Sequence, residues 1–208
     1  GTPIRSRAKI ELMLKEQKTF IRTEIFTDAL EILEKYHWVV ISGDPGSGKT
    51  AHACCLAAYY FQEQGFEEPF FVNSTKEIEQ LWGSFGKKVI VFDDFWGHTS
   101  FSESRLELNS ERNMQELFYL LQDRPDLRLI FTTREFILQQ GFRLFPGFAE
   151  VVDSQKLLLR LNAYTLAQRA QILYRHLDVS DLGYDYVKEI FQKRESFLHC
   201  DAYSPRSI

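Results

Sequence analysis

The octet Gly43-Asp44-Pro45-Gly46-Ser47-Gly48-Lys49-Thr50 constrains the fold more than any other part of the chain. It follows the short apolar run WVVIS, Trp38 to Ser42, which reads as a buried strand. It precedes KTAHACCLAAYYFQEQG, which reads as a helix ended by Gly65. The octet matches the phosphate-loop pattern at every constrained position, and the strand-turn-helix context is the one that pattern requires. A loop that turns its backbone N–H groups inward around phosphate oxygens needs glycine, because side chains would obstruct the approach. The helix that follows, with Ala51 in its first turn, aims its positive end at the same anion. In that arrangement Lys49 bridges the β- and γ-phosphates and Thr50 offers its hydroxyl to Mg²⁺.

The flanking pattern predicts what surrounds the loop. PFFVN (Pro69 to Asn73), KVIVFD and RLIFTT (Arg128 to Thr133) read as further strands, each apolar throughout. Helical stretches separate them: STKEIEQLW with a Ser74 cap, and a segment around Met114 to Gln122 that Pro125 forbids from continuing. Apolar strands alternating with helices predict an α/β fold whose parallel sheet is covered on both faces. Upstream, Ile10, Met13 and Leu14 suggest one helix; Ala29, Leu30, Leu33 and Tyr36 suggest a second, starting near Thr27 or Asp28. Beyond residue 150, EVVDSQKLLLRL reads as a last strand and its exit. YTLAQRAQILYRHL is helical with Thr165 and Gln168 spaced as a capping box, and DYVKEIFQKRESFLH continues as a second helix. Three segments result: an N-terminal helix or linker (1–19), a nucleotide-binding domain (20–161) and a small helical subdomain (162–208). Both ends, Gly1-Thr2-Pro3 and Ile208, read as cut from something longer, and Gly97 to Arg112 reads as a loop.

KKVIVFDDFWG sets two carboxylates side by side at a strand end, where they repel one another and resist desolvation. Beside a phosphate loop they divide the work: Asp93 holds Mg²⁺, and Asp94 polarises the attacking water as general base. Phe95 is expected to pack beneath the strand tip and Trp96 to begin the loop. LIFTTR presents Thr132, Thr133 and Arg134 at another tip, where an arginine can bond the γ-phosphate; the competing reading of Arg134 is a surface charge at a helix start. Pro205-Arg206 near the C-terminus is placed to reach the nucleotide from above. His98, His176 and His199 have no metal-ligand spacing and read as structural or surface residues. The three cysteines, Cys54, Cys55 and Cys200, also lack metal spacing and fit a reducing, cytoplasmic setting, with the first two as inert core. A net charge of −4 argues against broad nucleic-acid binding, and no apolar run is long enough to span a bilayer.

The quoted motifs, together with FIRTEIFTDALEIL and AQRAQILYRHL, resemble a STAND-class P-loop NTPase of the novel STAND NTPase family, related to NB-ARC, NACHT and AAA+ ATPases. The resemblance implies an AAA+-like five-stranded parallel sheet of order 5-1-4-3-2. It implies Phe20, Ile21 and Thr23 near the adenine, Pro205 and Arg206 as the second sensor, and slow Mg²⁺-dependent hydrolysis of ATP to ADP. It further implies a switch in signalling or antiviral defence that forms homo-oligomers and is joined to sensor and effector domains. No arginine finger is assigned; Arg143 lies in a suitable segment. The alternatives are an AAA+ helper acting on nucleic acid, a small P-loop kinase, and a nucleotide-binding module without hydrolysis.

Overall fold

The computed structural model describes residues 2–83, 85–96, 116, 119–121, 123–161, 164–200 and 203–205, with residues 2–7 and 75 described through their backbone alone. The elements run α1 (Thr2–Thr19), α2 (Glu24–Tyr36), β1 (Trp38–Gly43), α3 (Lys49–Glu63), β2 (Phe70–Val72), α4 (Thr75–Trp82), β3 (Lys88–Phe92) and β4 (Leu127–Arg134). They continue with α5 (Glu135–Leu144), α6 (Pro146–Ser154), β5 (Leu158–Arg160), α7 (Leu166–Asp178), α8 (Tyr184–Gln192) and α9 (Arg194–Leu198).

The five strands form one sheet of order β2-β3-β4-β1-β5, the predicted order read from the other edge, and every pairing is parallel. Successive strand side chains point to opposite faces, so a strand buried on both sides must be apolar at every position. The two cores divide by that alternation. Val39, Ile41, Val89, Val91 and Ile130 face a core shared with α2 and α3. Trp38, Val40, Ile90, Phe92, Leu129 and Phe131 face the core shared with α4, α5 and α6. Helix α3 is buried from His52 to Ala58, because α1 packs on its outer side through Met13. This accounts for its run of alanines and cysteines: a helix covered all round carries no polar face.

Local signals set most element ends. Ser74 Oγ accepts the Glu77 N–H at the start of α4, and Thr165 and Gln168 form a complete capping box on α7. His37 ends α2 in the left-handed conformation (φ 68°), returning its N–H to Leu33 O. Three expectations move. Residues 150–154 belong to α6, not to a strand; Pro146 occupies its first turn, and Phe148 and Val152, four apart, are its buried face. The strand follows only at Leu158. Helix α2 starts at Glu24, before Thr27, because Phe26 joins Ala29 and Leu33 on the buried stripe. The final helical stretch is broken at Lys193 into α8 and α9. All of the 97–112 segment and most of the Met114–Gln122 helix lie outside the described residues; Glu116 and residues 119–121 are helical, with Leu121 fully buried.

Candidate functional site

The C-terminal tips of β1, β3 and β4 converge beside the N-terminus of α3. Parallel pairing aligns Gly43 with Arg134 and Phe92 with Phe131, so the octet, the two acids and the TTR tip arrive at one end of the sheet. A cavity of about 710 Å³ opens there. Its lining includes Pro45, Gly46, Gly48, Lys49, Thr50 and Ala51 from the loop and α3, and Asp93, Asp94, Thr132 and Arg134 from the strand tips. Phe20 and Ile21 line it from the segment between α1 and α2, and Pro205 from the C-terminal end.

The hydrogen bonds among these residues are specific. Thr50 Oγ1 donates to both oxygens of Asp93, at 3.0 and 3.3 Å. Thr132 Oγ1 donates to Asp93 Oδ1 at 2.7 Å and accepts the Asp94 N–H at 2.9 Å, while the Phe95 N–H bonds Thr132 O at 2.7 Å. Asp94 has a left-handed backbone (φ 55°), tolerable for a short polar side chain. Its carboxylate lies 3.7 Å from Arg134 Nε. Lys49 Nζ donates to the carbonyls of Gly43 (2.9 Å) and Asp44 (2.7 Å). Burial lowers the Lys49 ammonium from its usual value, opposed by attraction to Asp94 and Asp93.

Strand alternation corrects one position. Thr132 shares the α3 face with Ile130 and lines the cavity, whereas Thr133 is fully buried and outside its lining. Gly43, Asp44 and Ser47 shape the loop without lining the cavity. Gly46 and Gly48 have φ of 81° and 93°; a Cβ on Gly48 would lie 2.7 Å from Tyr164 Oη, and one on Gly46 3.0 Å from Ser204 Oγ. Arg206 and His98 lie outside the described residues. Arg143 is in the last turn of α5, away from the cavity lining.

Several contributors lie outside the motifs that mark the site in the sequence. His52, one turn into α3, bonds Gly48 O through Nδ1 (3.0 Å) and Thr23 Oγ1 through Nε2 (3.3 Å), with the Phe20 ring edge-on at 4.8 Å. Burial lowers its pKa and keeps the ring neutral. A carbonyl only accepts, so the proton sits on Nδ1 and Nε2 accepts from the Thr23 hydroxyl. His52 thereby ties the 20–23 segment to the phosphate loop; Thr23 bonds it without lining the cavity. Tyr164 donates to Ser47 O at 2.8 Å, its hydroxyl pKa pushed by burial up to about 12. Glu135 accepts from Ser42 Oγ (2.6 Å), Gln139 (2.9 Å) and Arg160 (3.1 Å), cross-linking β1, α5 and β5 below the loop. Burial pushes its carboxyl up, but those three donors outweigh it and hold it below the usual range. His176, expected at the surface or in structure, lines the cavity with Ile172 and Val179 of α7. A polar residue at a helix position otherwise read as core, as His52 is, was the one available signal.

The aromatics after the acids have a clear place. Phe95 is buried against Phe92 and Phe131, as expected, while Trp96 does more than begin a loop. Its ring stacks on Phe95 and Phe145 and meets Phe148 edge-on, against Gly141 of α5. Cys54 and Cys55 are buried, and burial raises both thiols, Cys54 to about 12.

Comparisons with known proteins agree with this architecture. The sequence profile of the family described as Novel STAND NTPase 3 matches residues 20–179. Domain III of the Thermotoga maritima replication initiation protein DnaA superposes with a TM-score of 0.54 at 17% identity, covering 83% of this chain and 78% of its own. AMPPCP-bound DnaA from Aquifex aeolicus gives 0.46 at 16% identity, covering 82% of this chain and 57% of that one. No curated protein matches the chain in sequence. Among the described residues no helix is long and apolar enough to cross a membrane. With the phosphate loop, the paired acids at the β3 end and an AAA+-like sheet order, the chain belongs to the Novel STAND NTPase 3 family of P-loop NTPases.

Proposed function

We propose that the domain binds ATP with Mg²⁺, hydrolyses it slowly to ADP, and uses the nucleotide state as a conformational switch. The observation that carries this reading is the bonded cluster of Thr50, Asp93 and Thr132, with Asp94 and Arg134 beside it, at the mouth of the cavity. A hydroxyl and a carboxylate 3.0 Å apart are hard oxygen donors of the kind Mg²⁺ takes when nucleotide phosphates complete its shell. Thr50 and Asp93 would hold that ion, which would neutralise charge on the β- and γ-phosphates.

The chain's own residues supply the rest. The loop amides and Lys49 bind the phosphates; Lys49 exchanges the Gly43 and Asp44 carbonyls for phosphate oxygens. Phe20 and Ile21 on one side and Ile172, His176 and Val179 on the other enclose the base. Asp94 accepts a proton from the attacking water as its oxygen bonds the γ-phosphorus. The bond to the bridging oxygen breaks, and ADP leaves with that electron pair. Arg134 balances charge on the γ-phosphate.

The switch reading draws on the two sides of the cavity belonging to different parts of the chain, the sheet domain (20–161) and the helical part (162–208). A γ-phosphate contacted by Arg134, and by Arg206 as the family resemblance implies, would favour one docking of the two. Sensor and effector domains, homo-oligomerisation, and a role in signalling or defence are part of the same proposal, carried by the family. Replacing Asp94 by Asn tests the chemistry: ATP affinity stays within about twofold while single-turnover cleavage falls about 100-fold or more. Unchanged cleavage would remove Asp94 from the mechanism.

A further inference from the structure

Helix α1 lies outside the residues matched by the family, yet it forms a wall of the site. Lys15, Glu16, Lys18 and Thr19 line the main cavity. Nearer the N-terminus, Lys9 Nζ lies 3.9 Å from Asp93 Oδ2. Asp93 thus receives hydroxyl donors from Thr50 and Thr132 and faces an ammonium from α1. A second observation concerns how that part of α1 is held. A cavity of about 480 Å³, lined by Ala8, Lys9, Leu12, Phe71, Asn73 and Asp93, separates it from the tips of β2 and β3. Met13 is fully buried, whereas Leu14 is 45% exposed. The helix is anchored on α3 around Met13, and its N-terminal half is held near the strand tips by the partly buried Ile10 and by the Lys9–Asp93 contact, beside open space.

We propose that α1 is an autoinhibitory cover, in which the Lys9 ammonium and Mg²⁺ compete for Asp93. This rests on the reading of Asp93 as the metal carboxylate. A divalent cation on Asp93 would stand within a few ångströms of the ammonium, and like charges at that separation repel strongly in a partly buried site. Loading of metal with nucleotide turns residues 2–12 away from the β2 and β3 tips, while the Met13 anchor keeps the rest of α1 on α3. The phosphate loop's charge state is thereby relayed to the N-terminal segment.

The test is hydrogen exchange on the whole 208-residue chain, alone, with Mg²⁺ and the non-hydrolysable analogue AMPPCP, and with AMPPCP in EDTA. Exchange in residues 2–12 is expected to rise at least about threefold with metal and analogue and to stay unchanged in EDTA. Lys9→Met should show the raised exchange without metal. It should also bind Mn²⁺, read by electron paramagnetic resonance in the presence of AMPPCP, about two- to fivefold more tightly. Lys9→Arg, which keeps the charge, should behave as the parent and controls for folding. Exchange indifferent to metal, or unchanged Mn²⁺ affinity in Lys9→Met, overturns the proposal. Asp93→Asn separates the two failures. If it leaves Mn²⁺ binding intact, the metal reading of Asp93 is wrong. If it abolishes binding while α1 of the parent chain stays unresponsive, only the cover is wrong.

Discussion

Two of the cavity's walls, the strand tips and the helical residues from Tyr164 onward, are built on opposite principles. On the sheet side the two acids and the residue after them are tied to neighbouring elements: Asp93 by Thr50 of α3 and Thr132 of β4, Asp94 by Thr132 Oγ1, and Phe95 by Thr132 O. Behind these bonds stand strands with no solvent-exposed face. On the helical side, α7 buries Ile172 and Leu173, α9 buries Leu198, and α8 buries nothing. That part is held by polar contacts. Tyr164 reaches Ser47, and Arg169 donates to the carbonyls of Leu198 and Cys200 with its guanidinium 4.7 Å from the Tyr203 ring centroid. The bonded wall suits chemistry that tolerates little displacement, and on the proposed switch the wall with little buried area would be the one to respond to nucleotide.

The largest effect is expected from Lys49→Ala, which should weaken binding of a fluorescent ATP analogue about 100-fold or more by removing the charged hydrogen bonds to phosphate. Urea unfolding without nucleotide should barely change, since Lys49 bonds only loop carbonyls. Trp96→Ala tests the stiffness of the sheet wall. Loss of the stacked indole should cost about 2–3 kcal/mol in chemical denaturation, below the figure for a fully buried tryptophan because Trp96 is only partly buried. A cost under about 1 kcal/mol would mean the acids do not depend on that aromatic stack. Tyr164→Phe tests the other wall: losing one hydrogen bond should cost about 1 kcal/mol and raise amide exchange in α7 with little change in β3 or β4.

The smallest effect is a pH dependence at Glu135. Its folded-state pKa is depressed, so the unfolded chain binds the proton more readily. The contribution is fully present above the ordinary glutamate range and is lost as pH falls through it toward the folded value. Glu135→Gln should therefore be less stable than the parent at pH 7, with the gap closing as pH falls below about 4.5. A gap independent of pH would assign the loss to packing instead.

Reading the chain from the sequence worked where the controlling interactions are local. The loop, the capping box Thr165–Gln168 and the Ser74 cap depend on residues three or four apart. It failed at Val151-Val152, read as strand, because two β-branched residues outweighed the helical spacing of Phe148 and Val152. The tip motif alone sets Thr133 beside the phosphate, but strand parity from Ile130 gives that face to Thr132.

Residue order alone specifies a phosphate-binding turn within a parallel sheet. Gly43 to Thr50 permits one tight turn around an anion, and strands apolar on both faces permit a covered parallel sheet. Which distant side chains meet that turn is set by the packing of the whole fold. Thr23 and His52 are 29 positions apart, Ser42 and Glu135 93 apart, and Ser47 and Tyr164 117 apart. Lys9 meets Asp93 across an even less direct route, from a helix whose own sequence predicts only that it is helical. Backbone spacing encodes contacts within a turn of helix or along a strand. Contacts between elements depend on sheet register and helix docking, which follow from the summed burial of two cores and are not written at any one position.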